Sequence, residues 1–408
     1  MLKYILKRLG QSLLTILLVV SVVFVLMRLM PSENFFTDDE LLKFTDKQKF
    51  EKLERMGMMK VCPTCGGTGL VEGLTCKQCG DQAAIAQQGD GAYQKPGTGY
   101  VNRSMLLQLA EFYGDMLQMR VYNTSKNTEV KSINPVSIVP YLQAKLAGED
   151  PFGGKLKDTY DVRLKFNLGK SLRIEKNQYV TKVIANRIGI SMSVGLVSLA
   201  ISLVLGVVMG VLQARYKDGP FDHVGTGYTV FVNAVPHLVI YTLIMVLGNQ
   251  LFGLPMRYDD TKGNVYLTMV LPIICLSIGS TAGYMLWTRR YMVDELNKDY
   301  IRLAKLKGLS ERKVLFRHVL KNAFVPLAQY LPYSILLTVG GSLLVEKFFA
   351  VPGMGFLLPQ AIGRYDLPLV QGIVLLYAAM GILGVFLGDL LMTFIDPRIK
   401  LTGKGDVR

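Results

Sequence analysis

Four cysteines within eighteen residues form the clearest chemical pattern in the chain. Their spacing is Cys62-x2-Cys65-x10-Cys76-x2-Cys79, and a glycine follows each pair. Each CxxC pair can place two thiolates on one tetrahedral ion, so two pairs make a closed structural zinc site with no vacant ligand position. Disulfides and free thiols are the alternatives. With zinc or with disulfides, the cysteines would hold together a small loop that has almost no core of its own.

No pattern in the sequence predicts a catalytic site. The three histidines, His223, His237 and His318, are far apart in the sequence and support no Ser/His/Asp or Cys/His arrangement. The phosphate-binding pattern GxxxxGK[ST] does not occur, so we expect no nucleotide to bind to this chain itself. His237, Glu346 and Asp389 lie in or beside apolar segments, where ionisable groups are functional suspects. They keep a proton relay open as an alternative.

The composition is that of a membrane protein. Half of the 408 residues are hydrophobic, and the mean hydropathy is +0.31 although one polar region is well over a hundred residues long. The net charge is +15. Many of the basic residues flank apolar segments, which fits cytoplasmic loops facing anionic lipid better than binding to nucleic acid.

Six apolar segments are long enough to cross about 30 Å of hydrocarbon. The first lies in 1–30 and is predicted to be an uncleaved span rather than a signal peptide, because no small-x-small pattern follows it. The other five are 188–212, 224–251, 266–287, 323–344 and 369–395. Pro236 breaks the third span, and frequent glycines predict close helix packing. The basic residues predict that both termini are cytoplasmic.

A basic polar segment, 289–322, lies between the fourth and fifth predicted spans and is called the elbow below. Gly308 suits the position after one short helix, and Ser310 suits the N-cap of a second. Leu303 and Ala304 fall on the apolar face of the first helix. We predict two amphipathic helices that dock into a cytoplasmic partner. Tethering between two spans argues against DNA binding.

The elbow resembles the EAA loop of binding-protein-dependent ABC importers. Arg302-Leu303-Ala304 stands in the EAA place, followed by Gly308-Leu309 and then His318-Val319-Leu320. The sequence departs from that pattern at Arg302, Leu303, His318 and Lys321. Two further stretches resemble the oligopeptide/dipeptide permease branch, in the form of its B-type subunit. They are Glu346-x-x-Phe349-x-x-Pro352-Gly353-x-Gly355 and Asp396-Pro397-Arg398.

The resemblance implies an all-α polytopic membrane protein with six transmembrane helices of the type I ABC importer permease kind. It also implies a non-enzymatic permease subunit for oligopeptides in a bacterial plasma membrane. The expected partners are a second homologous permease, two cytoplasmic ATPases and an extracytoplasmic peptide-binding lipoprotein. The expected ATPase-coupling residues are Arg302, Leu303, Ala304, Gly308, Leu309, His318 and Leu320. A secondary transporter or channel working alone, and a receptor whose zinc domain senses a ligand, are the competing hypotheses.

The predicted domains follow from the spans and the resemblance. Residues 1–30 form the first span, 31–165 an inserted extracytoplasmic domain with the cysteine knuckle at 62–79, 166–400 the permease core, and 401–408 a cytoplasmic tail. An enlarged first loop of this kind resembles Gram-positive oligopeptide permeases. The insert faces the side from which a binding protein would approach, and helping to seat that protein is a hypothesis for its role.

Overall fold

The computed structural model describes residues 2–36, 38–66, 70–71, 74–76, 99–123, 128–130, 132–155, 160–260 and 264–395. Within those residues five helices are long and apolar enough to span a membrane: Gly10–Arg28, Val180–Arg215, Val265–Leu296, Glu311–Phe348 and Leu367–Ile395. A sixth is counted if Pro220–Ala234 and His237–Phe252, which are bent by 107° at a short break, form one span. The helical, multi-span architecture predicted from the sequence is confirmed.

The chain divides into two compact units. The core unit comprises Met1–Leu17, Lys182–Arg364 and Gly372–Arg408, and the insert unit comprises Leu18–Thr181 and Tyr365–Gln371. The described helices outside the inserted region are α1 Leu2–Arg28, α6 Val180–Arg215, α7 Pro220–Ala234, α8 His237–Phe252, α9 Val265–Leu296, α10 Asp299–Leu306, α11 Glu311–Lys313, α12 Leu320–Val339, α13 Leu343–Phe348, α14 Leu357–Gly363 and α15 Leu367–Ile395. A π-helical turn, Val314–Val319, joins α11 to α12.

The predicted span 224–251 is not a continuous helix. Helix α7 ends at Ala234, and α8 begins at His237 after Pro236, whose ψ of 127° is not helical. Proline has no N–H to donate, and it disfavours helical geometry in the residue before it, so Val235 takes an extended conformation. The result is the 107° bend between two helices of 15 and 16 residues.

Helices α6 and α9 pack closely because glycines remove the side chains between them. A Cβ atom at Gly206 would lie 2.5 Å from the Cβ of Tyr284, and one at Gly210 would lie 2.6 Å from the Cβ of Thr288. Either distance is shorter than a van der Waals contact, so no larger residue fits without moving a helix. This close crossing lies about one to three helical turns before the end of α6 at Arg215 and of α9 at Leu296, the helix in which the elbow begins.

The insert unit combines short helices and strands. The described helices between α1 and α6 are α2 Asp38–Lys43, α3 Asp46–Arg55, α4 Met105–Met116 and α5 Ile138–Leu146. The described strands are β1 Met59–Val61, β2 Leu70–Val71, β3 Leu74–Thr75, β4 Tyr100–Asn102, β5 Leu117–Asn123, β6 Thr128–Glu129, β7 Val136–Ser137 and β8 Tyr160–Phe166. Strand β5 pairs antiparallel with β6, β7 and β8, and β1 pairs antiparallel with β4. These strands add to the all-α architecture expected from the spans.

A buried aspartate, Asp366, holds the turn at residues 171–174, near the end of the insert unit. The carboxylate of Asp366 accepts hydrogen bonds from the backbone N–H groups of Leu172, Arg173 and Ile174 at 3.0–3.1 Å. It also accepts one from the hydroxyl of Ser171 at 2.5 Å. Asp366 is fully buried, and four donors satisfy its charge. The turn that precedes α6 is thus fixed to the residue that precedes α15.

Candidate functional site

The elbow has one short helix and one long one. Helix α10 ends before Gly308, whose φ of +74° is the left-handed conformation that suits glycine. Ser310 occupies the predicted N-cap position, although its side chain makes no capping hydrogen bond. The second helix is not a separate short element, because α11, the π-helical turn and α12 run without a break from Glu311 to Val339. The second half of the elbow is therefore the end of a membrane span.

The inner face of the elbow packs on two spans. Ile301 and Ala304 of α10 are buried with Met292 of α9 and with residues of α6 and of the π-helical turn. The buried members of this elbow cluster are Val211, Ala214, Met292, Ile301, Ala304, Val314, Leu315, Val319 and Ala323. Met292, Ile301 and Val319 have no exposed surface. Burial of this kind makes α10 a rigid extension of the spans rather than a mobile loop.

Tyr300 links α10 to α9 and α12 through two side-chain hydrogen bonds. The Tyr300 hydroxyl donates a hydrogen bond to the Glu295 carboxylate at the end of α9, and it accepts one from the Asn322 side chain at 2.8 Å. Desolvation, followed by the hydrogen bond to Glu295, raises the pKa of Tyr300 to about 12. The Tyr300 hydroxyl therefore stays protonated, and able to donate its hydrogen bond, throughout the physiological pH range.

The outer face of the elbow is apolar and exposed. Leu303 and Leu306 are 54% and 85% exposed, and Phe316 in the π-helical turn is 56% exposed. A Cβ atom at Gly308 would meet no atom within 4 Å. Exposed basic residues surround this face: Arg302, Lys305, Lys307, Arg312, Lys313 and Arg317. An exposed apolar surface with a basic border is typical of a protein–protein contact.

The seven predicted coupling residues fall into three groups. Arg302, Leu303 and Gly308 are exposed, and Arg302 lies 3.6 Å from the carboxylate of Asp299. Ala304 is buried in the elbow cluster, so it does not share a face with Leu303 as the sequence had indicated. The remaining three are partly buried: Leu309, His318 and Leu320. In an eight-residue helix with apolar residues on both sides, the pattern alone does not identify the inner face.

An ion pair with little signal in the sequence lies beside the elbow, between Arg289 and Asp222. Arg289 donates from Nε to Oδ1 of Asp222 and from Nη2 to Oδ2, both at 2.6 Å. The Asp218 N–H donates to the same carboxylate at 3.0 Å, and the Gln213 amide donates at 3.3 Å. Asp222 is 3% exposed. The ion pair joins the beginning of α7 to α9. The hydrogen bond from Gln213 joins the end of α6 to the same carboxylate. The only sequence signal of the ion pair is an acidic residue near a helix N-terminus.

Glu346 holds the segment that carries the Pro-Gly-x-Gly pattern. Its carboxylate accepts hydrogen bonds from the Ser191 hydroxyl at 2.7 Å and from the Gly355 N–H at 2.6 Å. The Ser191 oxygen in turn accepts one from the Met354 N–H at 2.7 Å. A Cβ atom at Gly353 would lie 2.4 Å from the Ser191 oxygen, so glycine is required there. The spacing of Glu346 and the two glycines is thus explained by one folded-back segment.

A cavity of about 200 Å³ lies beside Glu346 in the core unit. Helices α6, α9, α12 and α13 contribute its walls. Its polar lining consists of Ser191, Ser198, Ser280, Tyr284, Ser334, Thr338, Ser342 and Glu346. Of the three ionisable residues considered for a proton relay, only Glu346 lines this cavity. Asp389 accepts a hydrogen bond from the Gln329 amide at 3.2 Å, and the His237 ring packs edge-on to Tyr241.

Three of the four clustered cysteines converge. The Sγ atoms of Cys62, Cys65 and Cys76 lie within 4.8 Å of one another, and all three residues are buried. Cys62 and Cys76 are 3.9 Å apart at sulfur, too far for a disulfide but close to the separation of about 3.8 Å that two thiolates on a tetrahedral zinc ion have. Cys79 lies outside the described residues. The donor set fits a thiolate-bound metal.

The comparisons with known proteins concern mainly the second half of the chain. The family model described as "Binding-protein-dependent transport system inner membrane component" matches residues 202–401. "Oligopeptide transport system permease protein AmiC" of Streptococcus pneumoniae is 35% identical over 56% of this chain. "Dipeptide transport system permease protein DppB" of Bacillus subtilis is 32% identical over 59% of it.

The matched region covers these relatives to different extents. It spans about half of AmiC, 45% of its length, and 77% of DppB. Among solved structures, the inward-facing MetNI methionine ABC transporter is similar over 53% of this chain and 97% of its own, with a TM-score of 0.42 and 13% identity. A structural similarity of that size supports no conclusion by itself.

Proposed function

Because the chain belongs to the family of binding-protein-dependent transport system inner membrane components, we propose that it is a permease subunit of an ATP-driven importer for oligopeptides. The printed names of AmiC and DppB support a peptide substrate. The subunit forms half of a translocation path with a second, homologous permease in a bacterial plasma membrane. Both termini lie in the cytoplasm, where two ATPase subunits bind, and an extracytoplasmic lipoprotein delivers the peptide.

The observation that carries this proposal is the two-sided elbow. Its inner face is buried against α6 and α9, whereas Leu303, Leu306 and Gly308 on its outer face are exposed. A surface that is apolar, exposed and rigidly joined to membrane spans suits a docking site that must transmit movement. The basic border orients the approach of an acidic partner surface.

Packing contacts and one ion pair connect the elbow to three helices of the core unit, so movement of the elbow would move those helices. Closure of the ATPase pair moves α10, and the elbow cluster passes that movement to α6 and α9. The ion pair between Asp222 and Arg289 extends it to α7. Ala304 acts by packing in the cluster, and Arg302, Leu303 and Gly308 contact the ATPase. The cavity beside Glu346 lies on the same helices and changes shape as they rotate.

The cysteine cluster holds a structural zinc ion in this proposal. Cys62, Cys65 and Cys76 supply three ligands, and Cys79 supplies the fourth. Bound zinc would cross-link the segments that carry these cysteines. Among the described residues, Val101 of β4 is the one further buried residue in the cluster around them. Four thiolates leave no position for a substrate, so the metal has no catalytic part.

The coupling role is tested by affinity purification in mild detergent. Gly308→Trp places a bulky side chain on the outer face, and Gly253→Trp is the matched control. Gly253 also has a left-handed φ, +63°, and open space around it, but it follows α8 in a predicted external loop. Wild type and Gly253→Trp should recover both ATPase subunits, and Gly308→Trp should lose them. Equal recovery with all three proteins would refute this assignment of the coupling surface.

The same preparations distinguish the secondary-transporter alternative. Wild-type protein that purifies alone, and that moves peptide into vesicles without ATP, would exclude an ATP-driven importer. Attention would then turn to Glu346 and Asp389. Peptide uptake that requires ATP and the co-purifying ATPases supports the importer.

A further inference from the structure

Helix α4 of the insert packs against a part of α1 that lies within a membrane span. The rings of Phe24 and Phe112 are 5.0 Å apart between centroids, and the hydroxyl groups of Ser21 and Tyr113 are 2.8 Å apart. Phe24 has no exposed surface. Both α1 residues belong to the apolar segment Gly10–Arg28, so α4 contacts α1 before the span has ended.

The depth of this contact follows from helix geometry. With a rise of 1.5 Å per residue, Phe24 and Ser21 lie about 6 and 10 Å before Arg28 along the helix axis. Arg28 is the last residue of the apolar segment, and its guanidinium donates to the Met56 carbonyl at 2.7 Å. The end of α4 is therefore level with the outer hydrocarbon or the headgroup boundary rather than with bulk water.

The exposed surfaces of α4 and of its neighbour α5 each include large apolar side chains. Leu106 and Leu107 of α4 are 79% and 58% exposed. On α5, the exposed residues Val139, Leu142 and Leu146 have the spacing i, i+3, i+7 and share one face. The two helices touch, because a Cβ atom at Gly114 would lie 3.7 Å from Val139. An exposed apolar surface of this size on a domain in water would be unfavourable.

The two acidic groups of α4, Glu111 and Asp115, are paired within the insert, whereas Lys145 of α5 is exposed. Both guanidinium nitrogens Nη1 and Nη2 of Arg103 donate to the Glu111 carboxylate, at 2.5 and 2.6 Å. The Ser137 hydroxyl donates to the Asp115 carboxylate at 2.5 Å. Pairing lowers the cost of placing α4 next to lipid. On α1, the apolar residues Leu18, Val22 and Leu26 are also exposed, at 60%, 48% and 58%.

We propose that α4 and α5 are interfacial helices whose apolar faces are covered by the acyl chains of the outer leaflet. The insert is then a domain that lies in the membrane surface beside the first span, rather than one tethered above it. This inference rests on α1 being a span and is independent of the transported substrate and of the ATPases.

Depth-dependent quenching in phosphatidylcholine vesicles tests the proposal with the full-length protein. Trp287 is the one tryptophan of the chain, so single-tryptophan variants are built on Trp287→Phe. Leu106→Trp and Leu142→Trp report on α4 and α5. Leu164→Trp is the control, because Leu164 is 56% exposed on β8 between Arg163 and Lys165. Leu106→Trp and Leu142→Trp should be strongly quenched by dibrominated acyl chains, and Leu164→Trp only weakly.

Two outcomes would overturn the proposal. Red-shifted emission at both test positions, with quenching no greater than at Leu164→Trp, would mean that the helices face water. Blue-shifted emission without quenching by brominated lipid would mean that protein covers them, either a partner or a second copy. A measurement on the wild type avoids any effect of substitution: a diazirine-bearing phosphatidylcholine should cross-link to peptides that contain α4 and α5.

Discussion

Arg289 and Asp222 are joined by two parallel hydrogen bonds, and the carboxylate is almost completely withdrawn from solvent. Arg289 lies one helical turn before Met292, a fully buried member of the elbow cluster. The geometry is the bidentate arrangement in which arginine binds carboxylates most strongly. The elbow, where a partner protein would bind, is thus only a few residues from the buried ion pair between Asp222 and Arg289.

Removing the buried charge should be costly. Asp222→Asn leaves the Arg289 guanidinium without its partner and should destabilise the protein by about 3 kcal/mol. Thermal unfolding in detergent measures the change. Asp299→Asn is the control, since the ion pair of Asp299 with Arg302 is exposed and should contribute about 0–1 kcal/mol. Equal unfolding temperatures for the two variants would contradict a structural role for the buried pair.

The two faces of α10 should respond differently to substitution. Ala304→Leu overfills the elbow cluster and should cost about 1–3 kcal/mol of stability. Leu303→Ala, on the exposed face, should change stability by about 0.5 kcal/mol or less and still weaken ATPase binding. Unfolding temperature and ATPase co-purification are measured side by side. A stable Ala304→Leu variant that has lost the ATPases would place Ala304 on the docking face instead.

Glu346 should be sensitive even to an isosteric change. In Glu346→Gln the amide group has only one acceptor oxygen, so the N–H of Gly355 or the hydroxyl of Ser191 loses its acceptor. We expect a loss of about 1.5–3 kcal/mol, because hydrogen bonds to a charged acceptor are involved. Lys347→Gln, at the next and exposed position, should leave the unfolding temperature unchanged. A matching loss in Lys347→Gln would point to a general effect on α13.

The purified protein should contain one zinc ion per chain. Elemental analysis after removal of loosely bound metal measures it, and Cys62→Ser should lower the content because Cys62 is a buried member of the cluster. Cys275→Ser is the matched control: it removes a buried cysteine in α9, outside the cluster, and should leave the zinc content unchanged. Alkylation under non-reducing conditions separates the alternatives. Metal-free protein whose four clustered cysteines resist alkylation until reduced would establish disulfides.

The spans and the elbow could be predicted because their signals are local. Apolar length identifies a span, proline identifies the break at Pro236, and Gly308 and Ser310 mark the junction between two helices. The inner face of α10 could not be predicted, since it depends on which neighbours Ile301 and Ala304 meet. Asp222 and Arg289 are 67 residues apart, and nothing in their local sequence pairs them.

In the insert, too, some features could be predicted from the sequence and others could not. The CxxC spacing predicted a cluster, and the structure brings Cys62, Cys65 and Cys76 together. Strands β2, β3, β6 and β7 have two residues each, too short for an alternating pattern to be visible. Strands β5 and β8 have seven residues each and largely alternate between apolar and polar residues, so these two could have been predicted. Apolar residues of α4 and α5 have helical spacing, but the sequence does not say whether protein or lipid covers them.

The aspartate at 366 has a consequence for how such a chain can change over evolutionary time. Its four hydrogen bonds fix the turn at 171–174 without using any residue of 31–165. We therefore expect a loop inserted upstream of that turn to tolerate changes in length while the entry into α6 keeps its geometry.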